Sequence, residues 1–570
     1  MLNLKDYILN AFHEMKLPTD LSYKRLKASE YIKEIKEDQG SSRIIGYPRS
    51  YLDIFIWPGN AFVILASILD MKGDYKLLIS GEETTWTFDD KDKVIQIGSQ
   101  WRSFINDDLE KVNVDIQELI TTIQDVFGNN TLHKNLNDLI KDKNFIKSAL
   151  LLCLAADECM DRKNYYINNS SSLKTKQSLH EKMLSFLELM KDDFGFQLSF
   201  SNETFGTVQY KSSVSQSGIS LCSISHNISL VKPEILLKSI VRKTPTSVNS
   251  LFNILILPFP LNISRKNFKP VHEQNKLPMT DKFGFFTYAP DEDVDSSLII
   301  SCLDKAIEEI GDIDIIALPE CSVSKSVAEI ISNSLRNKFK DRPEKCPALI
   351  IGVYKVGDST HFGENSLTLY VPDDKCGDKF NLTAVHQHKH HRWFLDRNQI
   401  LNYKLGMSLA TDKKWWEYTS ITDRTLISYY CQKHNIQISP LICEDLARQD
   451  PVAPVVRALG PNLIIALLLD GAQIRNRWPG RYAAFLSDDP GSCVLTLSPL
   501  GMTYRADGTG FSPSRNVAFW SEPNGSKELK LEDNKQGIVL SLEKHEVEQW
   551  TADGRRKCRV GFTYAGHICI

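Results

Sequence analysis

The sequence has no CxxC pair, no long apolar run and no large net charge, and each of these absences argues against one class of protein. Its 12 cysteines are spread along 570 residues, which favours a reduced compartment over a disulfide framework. The apolar runs at 149–152 and 463–469 are too short to span a bilayer, and the charged N-terminus is unlike a signal peptide. A net charge of −3 disfavours a chain built to neutralise phosphates. We therefore expect a cytoplasmic protein with no membrane partner, and a nucleic-acid partner is disfavoured but left open.

The length of the chain predicts two or more domains. Residues 1–245 are predicted to form a mixed, mainly helical α+β domain of unknown function, because apolar residues recur at helical spacing over 113–127 and 146–160. The Asn-, Ser- and Lys-rich stretch at 161–178 is typical of a linker, and residues 243–246 are typical of a hinge. Residues 246–570 are predicted to form the second domain.

Apolar runs of strand length alternate with helical patterns throughout the second domain. The predicted helices cover 323–338, 422–434 and 453–459, and the predicted strands cover 252–257, 313–318, 349–354, 366–371, 436–442, 463–469, 494–497 and 537–542. This alternation predicts an α/β layered domain with buried strands.

Glu320 follows one of these strands directly after Pro319. The ends of buried strands are where α/β sheets collect their sites, and a carboxylate among apolar walls has a raised pKa, as a general base near neutrality needs. The alternative is an ordinary acid that complements the N-terminal dipole of the predicted helix 323–338.

Cys443 lies between the predicted strand 436–442 and a helical segment. Free backbone N–H groups at a helix start favour a thiolate, so Cys443 is a candidate nucleophile. The alternative is an inert core cysteine.

Lys389 lies in a histidine-rich segment that is predicted to be a strand. The period of two places Gln387, Lys389 and His391 on one face. An ammonium at such a strand end can stabilise a developing oxyanion. The alternate histidines, at 386, 388 and 390, permit a zinc site or hydrogen-bonded surface side chains, and no acidic or cysteine partner at matching spacing supports a metal.

Taken together, Glu320, Lys389 and Cys443 occur in the chain order of the carbon–nitrogen hydrolase, or nitrilase, superfamily, which residues 251–545 resemble. The segments LILPFP at 255–260, LPECSVS at 318–324 and LICED at 441–445 carry the resemblance. It implies an αββα four-layer sandwich that forms homo-oligomers and hydrolyses a small-molecule amide or related metabolite without metal or cofactor. The segment KHHRWFLDRNQI at 389–400 resembles nitrilase modules associated with bacterial defence reverse transcriptases.

Neighbouring residues are candidates for further roles in such a reaction. The backbone N–H of Glu444 would support the oxyanion, and Asp396 is the nearest acid after Lys389 for the family's second carboxylate. Trp393, Trp478 and Asp470 are candidates for the wall of a substrate pocket, although the two tryptophans fit a core or an interface equally well.

Two other functions compete with an amidase. One is a catalytically silent nitrilase-fold protein that serves in assembly or sensing. The other is an immune effector whose N-terminal half senses a partner while the hydrolase half acts on a nucleotide or metabolite.

Overall fold

The computed structural model describes most of the chain. Its description omits residues 1, 14, 16, 18–25, 38–42, 45–46, 81–84, 108–113, 162–177, 190–195, 217, 245–250, 272–279, 359, 374–376, 507–509 and 511. Most of the predicted linker and half of the predicted hinge lie outside the described residues. The chain divides into two compact units, the first comprising 1–234, 457–460 and 548–559, and the second comprising the rest.

The first unit is mainly helical. Its described helices are α1 (Leu4–Ala11), α2 (Ala28–Glu37), α3 (Tyr51–Phe55), α4 (Pro58–Lys72), α5 (Tyr75–Ser80), α6 (Phe88–Asn106), α7 (Gln117–Phe127), α8 (Asn129–Leu132), α9 (Leu136–Leu139), α10 (Lys143–Cys159), α11 (Leu179–Leu189) and α12 (Leu221–Ile224). A two-stranded antiparallel sheet joins β1 (Thr207–Tyr210) to β2 (Ile228–Val231). Because α4 and α10 are buried on most sides, they form the centre of this unit.

The second unit contains two seven-stranded sheets and a smaller one. Its strands are β3 (Leu236–Arg242), β4 (Leu251–Ile256), β5 (Phe268–Pro270), β6 (Phe283–Tyr288), β7 (Ile315–Ser324), β8 (Ala348–Lys355), β9 (Glu364–Pro372), β10 (Leu382–His388), β11 (Phe394–Leu395), β12 (Lys414–Glu417), β13 (Thr425–Cys431), β14 (Ile436–Ile442), β15 (Leu463–Leu467), β16 (Cys493–Leu497), β17 (Asn516–Glu522), β18 (Gly525–Lys530), β19 (Ile538–Trp550) and β20 (Arg556–Cys569). Sheet I has the order β10-β9-β8-β7-β4-β19-β20, and sheet II has the order β18-β17-β16-β15-β14-β13-β3. The small sheet has the order β11-β12-β6-β5.

The described helices of the second unit are α13 (Ser296–Ile310), α14 (Lys325–Phe339), α15 (Arg397–Asn402), α16 (Val452–Leu459), α17 (Trp478–Asp488) and α18 (Leu500–Arg505). The last residues of α16 and of β19, and the first residues of β20, belong to the first unit. Alternate residues of β7 point to different layers: Ile315 and Ala317 pack between the sheets, whereas Ile316 and Leu318 pack against α13 and α14. On the far side, α17 packs on β16 and β17. The predicted αββα sandwich is confirmed.

One predicted helix of the second unit, 422–434, is wrong, because its central residues form β13. β13 pairs with β14 and with β3, and all seven of its residues are buried. A strand that is covered on both faces loses the alternation of polar and apolar residues, so its pattern cannot be told from that of a short buried helix. Across the described residues, no helix is both long enough and apolar enough to cross a bilayer.

Candidate functional site

Glu320 lies in an irregularity of β7 and not beyond the end of that strand, where the sequence had placed it. β7 loses its register with β8 between Leu318 and Val323, and Cys321 has a φ of 52°. A Cβ on the facing Gly352 would lie 2.0 Å from the carbonyl oxygen of Pro319, so only glycine leaves room for this irregularity. The irregularity turns the Glu320 side chain into the protein interior, where 1% of the residue is exposed.

Three donors hold the Glu320 carboxylate. Its Oε1 accepts from Lys389 Nζ at 2.7 Å and from Asn365 Nδ2 at 2.7 Å. Its Oε2 accepts from the backbone N–H of Leu469, just beyond β15, at 2.7 Å. Sheet I therefore supplies the carboxylate and its first two partners, and sheet II fixes the other oxygen.

A second carboxylate, Glu417, completes the surroundings of Lys389. Its Oε2 lies 3.0 Å from Lys389 Nζ, and its Oε1 accepts from Asn365 Nδ2 at 2.7 Å. The sequence had proposed Asp396 for this position, which is wrong: Asp396 caps α15, where its Oδ1 accepts from the backbone N–H of Gln399 at 2.8 Å. Glu417 lies on β12 of the small sheet. The second acid is therefore supplied by a different segment of the chain from the one that carries Lys389.

Cys443 lies where β14 gives way to a single 3₁₀ turn, Cys443–Leu446. Its φ of 47° is in the left-handed region, which an L-residue with a side chain occupies only at a cost of about 1–2 kcal/mol. Strained backbone of this kind clusters at functional sites, where it presents a side chain that a relaxed turn would direct elsewhere. Cys443 is buried, with 5% of the residue exposed.

The turn after Cys443 is tied to the segment of Lys389. Asp445 Oδ2 lies 3.0 Å from His390 Nδ1, and Asp445 Oδ1 lies 3.0 Å from His391 Nδ1. The sequence had placed His390 with two other histidines, as surface groups or zinc ligands. In the structure His390 is buried, while His386 Nδ1 faces Thr368 Oγ1 at 2.9 Å, so the imidazoles diverge.

Burial and charge shift the pKa values of all three central groups. Burial raises the pKa of Glu320, and Glu417 adds to this, whereas Lys389 opposes it. Burial acts to lower the pKa of Lys389, but Glu320 and Glu417 hold it well above its ordinary value. Burial, followed by the charge of Glu320, raises the pKa of the Cys443 thiol well above its ordinary value. The sequence had expected a stabilised thiolate at Cys443, whereas the structure favours a thiol beside a base.

Comparisons with known proteins bear on the fold. No protein-family model matches the chain, and no curated protein matches it. The chain is similar to several solved structures. One is Nit3 of Saccharomyces cerevisiae, a member of branch 10 of the nitrilase superfamily, at 12% identity over 53% of this chain and 91% of that one, with a TM-score of 0.29. Another is a carbon–nitrogen hydrolase from Helicobacter pylori G27, at 9% identity over 55% and 89%, with a TM-score of 0.27. A third is the glutamine-dependent NAD⁺ synthetase of Acinetobacter baumannii, at 11% identity over 51% and 46%, with a TM-score of 0.28.

One group of potential metal ligands occurs among the described residues, formed by Glu320, Cys321 and Glu417. The ammonium of Lys389 contacts both of these carboxylates, at 2.7 and 3.0 Å, and so already supplies the positive charge that a cation would bring. Burial, with the charges of Glu320 and Glu417, also raises the pKa of Cys321 well above its ordinary value, which opposes formation of the thiolate that a metal binds. The donor set therefore suits an internal ion pair better than a metal ion.

The other predicted site residues lie in different surroundings. The Glu444 side chain pairs with Arg448, with a distance of 3.0 Å between Oε2 and Nε. The Trp393 indole packs edge-on against Phe286 in an apolar core, with ring centroids 5.8 Å apart, while the Trp393 backbone N–H donates to Glu417 Oε2 at 3.1 Å. Trp478 begins α17 as a partly buried residue.

Sequence reasoning missed Glu417, Asp445 and the bridging role of Asn365. The sequence carries no signal for Glu417, because the residues KWWE at 414–417 do not alternate polar and apolar side chains, although the strand buries Trp415 and Glu417 on one face. Asp445 had no signal either, since its partner His390 is 55 residues away in the sequence.

Proposed function

We propose that the protein is a thiol hydrolase that cleaves a non-peptide carbon–nitrogen bond, an amide, through a thioester on Cys443. The observation that carries this proposal is the buried contact of 2.7 Å between Glu320 Oε1 and Lys389 Nζ. Burial, followed by the charge of Glu320, raises the pKa of the Cys443 thiol, and the charge of Lys389 opposes this. A base, an oxyanion partner and a nucleophile on a strained turn are the groups that acyl transfer requires.

The reaction begins with transfer of the Cys443 proton to Glu320 as the sulfur attacks the amide carbon. The tetrahedral oxyanion is stabilised by Lys389 Nζ and by the backbone N–H of Glu444, each donor contributing about 3–4 kcal/mol. Glu320 then returns the proton to the leaving amine, and the carbon–nitrogen bond breaks to leave a thioester. A water molecule that is deprotonated by Glu320 hydrolyses the thioester and regenerates the thiol.

The electrostatics support this assignment of roles. The raised pKa of Glu320 lies closer to neutral pH, which suits a residue that acts first as a general base and then as a general acid. Because the pKa of Cys443 is raised as well, the thiol depends on Glu320 for its activation. Lys389 remains an ammonium throughout, since both neighbouring carboxylates raise its pKa.

Intact-protein and peptide mass spectrometry of the protein after brief incubation with an amide panel tests the proposal. We expect an acyl adduct on Cys443, with loss of ammonia or amine, and no turnover by Cys443→Ala. The matched control is Cys558→Ala, which alters an exposed cysteine outside the site. Equal turnover by Cys443→Ala and the unaltered protein would refute the hydrolase.

A catalytically silent assembly or sensing protein is the second candidate, and the burial of Cys443 is the observation in its favour. The rate at which each cysteine reacts with a small thiol-reactive amide distinguishes the two candidate functions. An activated Cys443 labels far faster than the other cysteines, and Glu320→Gln slows that labelling. A silent protein labels first at exposed Cys558, whatever stands at position 320.

The defence role and the homo-oligomer remain part of the proposal. Hydrolysis of a metabolite during phage infection is the effector function that the 389–400 segment implies. Survival of cells that carry either the unaltered protein or Cys443→Ala, challenged with phage, tests it. A mass measurement in solution tests the oligomer.

A further inference from the structure

Asp470 has one carboxylate oxygen fully used and the other unused. Its Oδ1 accepts from Arg477 Nη2 at 2.8 Å, from the backbone N–H of Gly471 at 2.7 Å and from the hydroxyl of Tyr403. Its Oδ2 is buried and has no hydrogen-bond partner, and 4% of the residue is exposed. An unmatched oxygen of a buried carboxylate is unfavourable, so a donor from outside the protein stabilises it on arrival.

The position of Asp470 relates this oxygen to the proposed chemistry. The preceding residue, Leu469, donates its backbone N–H to Glu320 Oε2 at 2.7 Å. Burial is the main cause of the raised pKa of the Cys443 thiol, and the charge of Asp470 adds a smaller contribution, after those of Glu320 and Glu444. Ser498 Oγ accepts a hydrogen bond from the backbone N–H of Asp470 at 3.0 Å, which holds the backbone of this turn.

The charge of the surrounding groups decides which donor fits. Glu320 and Glu417 share the ammonium of Lys389, and the guanidinium of Arg477 lies 2.8 Å from Asp470 Oδ1. Asp470 Oδ2 is therefore a buried carboxylate oxygen without a hydrogen-bond partner. Such an oxygen favours a ligand of positive charge and disfavours one of negative charge.

We infer that Asp470 Oδ2 is the subsite for a positively charged nitrogen of the substrate, so that the enzyme acts on amides whose acyl portion carries an ammonium group. This inference rests on the proposed hydrolase and names its substrate class. The substrate ammonium donates to Oδ2 while the amide carbon lies at Cys443. Arg477 and Tyr403 hold Oδ1, so the carboxylate keeps one orientation.

The experiment compares three matched series of short aliphatic amides, ending in an ammonium, a methyl or a carboxylate group. For the unaltered protein we expect the highest kcat/KM with an amide that ends in an ammonium group. This value should exceed that of the matching methyl-terminated amide by roughly tenfold to a hundredfold. Asp470→Asn retains an acceptor for Arg477 and Tyr403 but places an N–H where Oδ2 was. This variant should lose the preference for the ammonium series.

Tyr403→Phe is the matched control, because it removes a donor to Oδ1 and leaves Oδ2 unchanged. It should keep the preference, and thermal unfolding of both variants shows that each is folded. A preference that survives in Asp470→Asn, or equal rates for the ammonium and methyl series, overturns the inference while leaving the hydrolase intact.

Binding to Cys443→Ala separates this result from failure of the hydrolase itself. The same three series are titrated against Cys443→Ala and against Cys443→Ala combined with Asp470→Asn, with calorimetry as the readout. Tighter binding of the ammonium series to the first protein alone supports the subsite even if no amide is turned over. Equal binding of all three series overturns it.

Discussion

The carboxylate of Asp445 joins the turn after Cys443 to the residue after Lys389, with 3.0 Å between Asp445 Oδ2 and His390 Nδ1. Both side chains are buried, and the Nε2 of His390 lies 3.0 Å from the carbonyl oxygen of Thr425 on β13. The contact between Asp445 and His390 therefore helps to set the distance between Cys443, the proposed nucleophile, and the ammonium of Lys389. Asp445 is a positioning residue in this arrangement.

Asp445→Asn tests that positioning role. The amide of asparagine cannot replace the carboxylate as the partner of both His390 and His391. We therefore expect the free energy of unfolding, measured in urea, to fall by about 3–5 kcal/mol. We also expect kcat to fall more than KM changes, since the proposed nucleophile and Lys389 lose their fixed separation. The matched control is Asp533→Asn, whose carboxylate is 89% exposed and should alter neither quantity.

The same carboxylate predicts a pH dependence of stability. Burial acts to raise the pKa of Asp445, but the hydrogen bonds from His390 and His391 hold it below its ordinary value. A lowered pKa stabilises the fold above the ordinary carboxyl pKa, and this contribution is lost as pH falls through the folded value. The urea midpoint of the unaltered protein should therefore fall on acidification more than that of Asp445→Asn. Parallel midpoints at every pH would argue against it.

Glu417→Gln should move the acid limb of the pH–rate profile. The charge of Glu417 helps to raise the pKa of Glu320, so its removal lowers that pKa. The base is active when ionised, and activity is lost as pH falls through its pKa. The acid limb of kcat/KM should therefore shift to lower pH in Glu417→Gln. Asp396→Asn, at the cap of α15, should leave the limb in place, and a shift in that variant would show that the second acid has been misassigned.

The sequence predicted the layers of the second unit better than the details of its site. β14 begins and ends at the predicted residues, because Ile436, Ile438 and Ile442 follow the period of two that is typical of a strand and pack into one core. β13 carries the same signal but also fits a helical pattern. The irregularity in β7 could not be predicted from β7 alone, since it depends on Gly352 in the neighbouring strand.

The proposed triad was visible in the sequence because each of its three residues lies in or directly after a predicted strand. Glu417 was not, because β12 pairs with β6, a distant segment, and the acid nearest to Lys389 along the chain caps a helix instead. Tertiary contacts decide which carboxylate lies beside Lys389, and distance along the sequence does not predict those contacts well.

Lys389→Met should impair both folding and activity. Loss of the ammonium leaves two buried carboxylates facing each other, and removal of one partner from a buried ion pair costs about 3–5 kcal/mol. Loss of an oxyanion donor lowers kcat by about 10²- to 10³-fold. The stability loss should shrink as pH falls, because protonation of Glu320 and Glu417 relieves their repulsion. Lys355→Met, which breaks a surface pair with Glu364 at 3.1 Å, is the control and should change stability by no more than about 1 kcal/mol.

The left-handed φ of Cys443 makes a prediction that is independent of activity. Cys443→Gly and Cys443→Ala both remove the thiol, but only alanine retains a Cβ in a conformation where the φ is 47°. We expect Cys443→Gly to be the more stable of the two by about 1 kcal/mol, measured by urea unfolding. The same pair of substitutions at Cys302, within the helix Ser296–Ile310, should give the opposite order, because glycine in a helix interior is less stable than alanine by about 1 kcal/mol. If alanine is favoured at both positions, the turn at Cys443 relaxes without cost, and strain does not hold its sulfur in place.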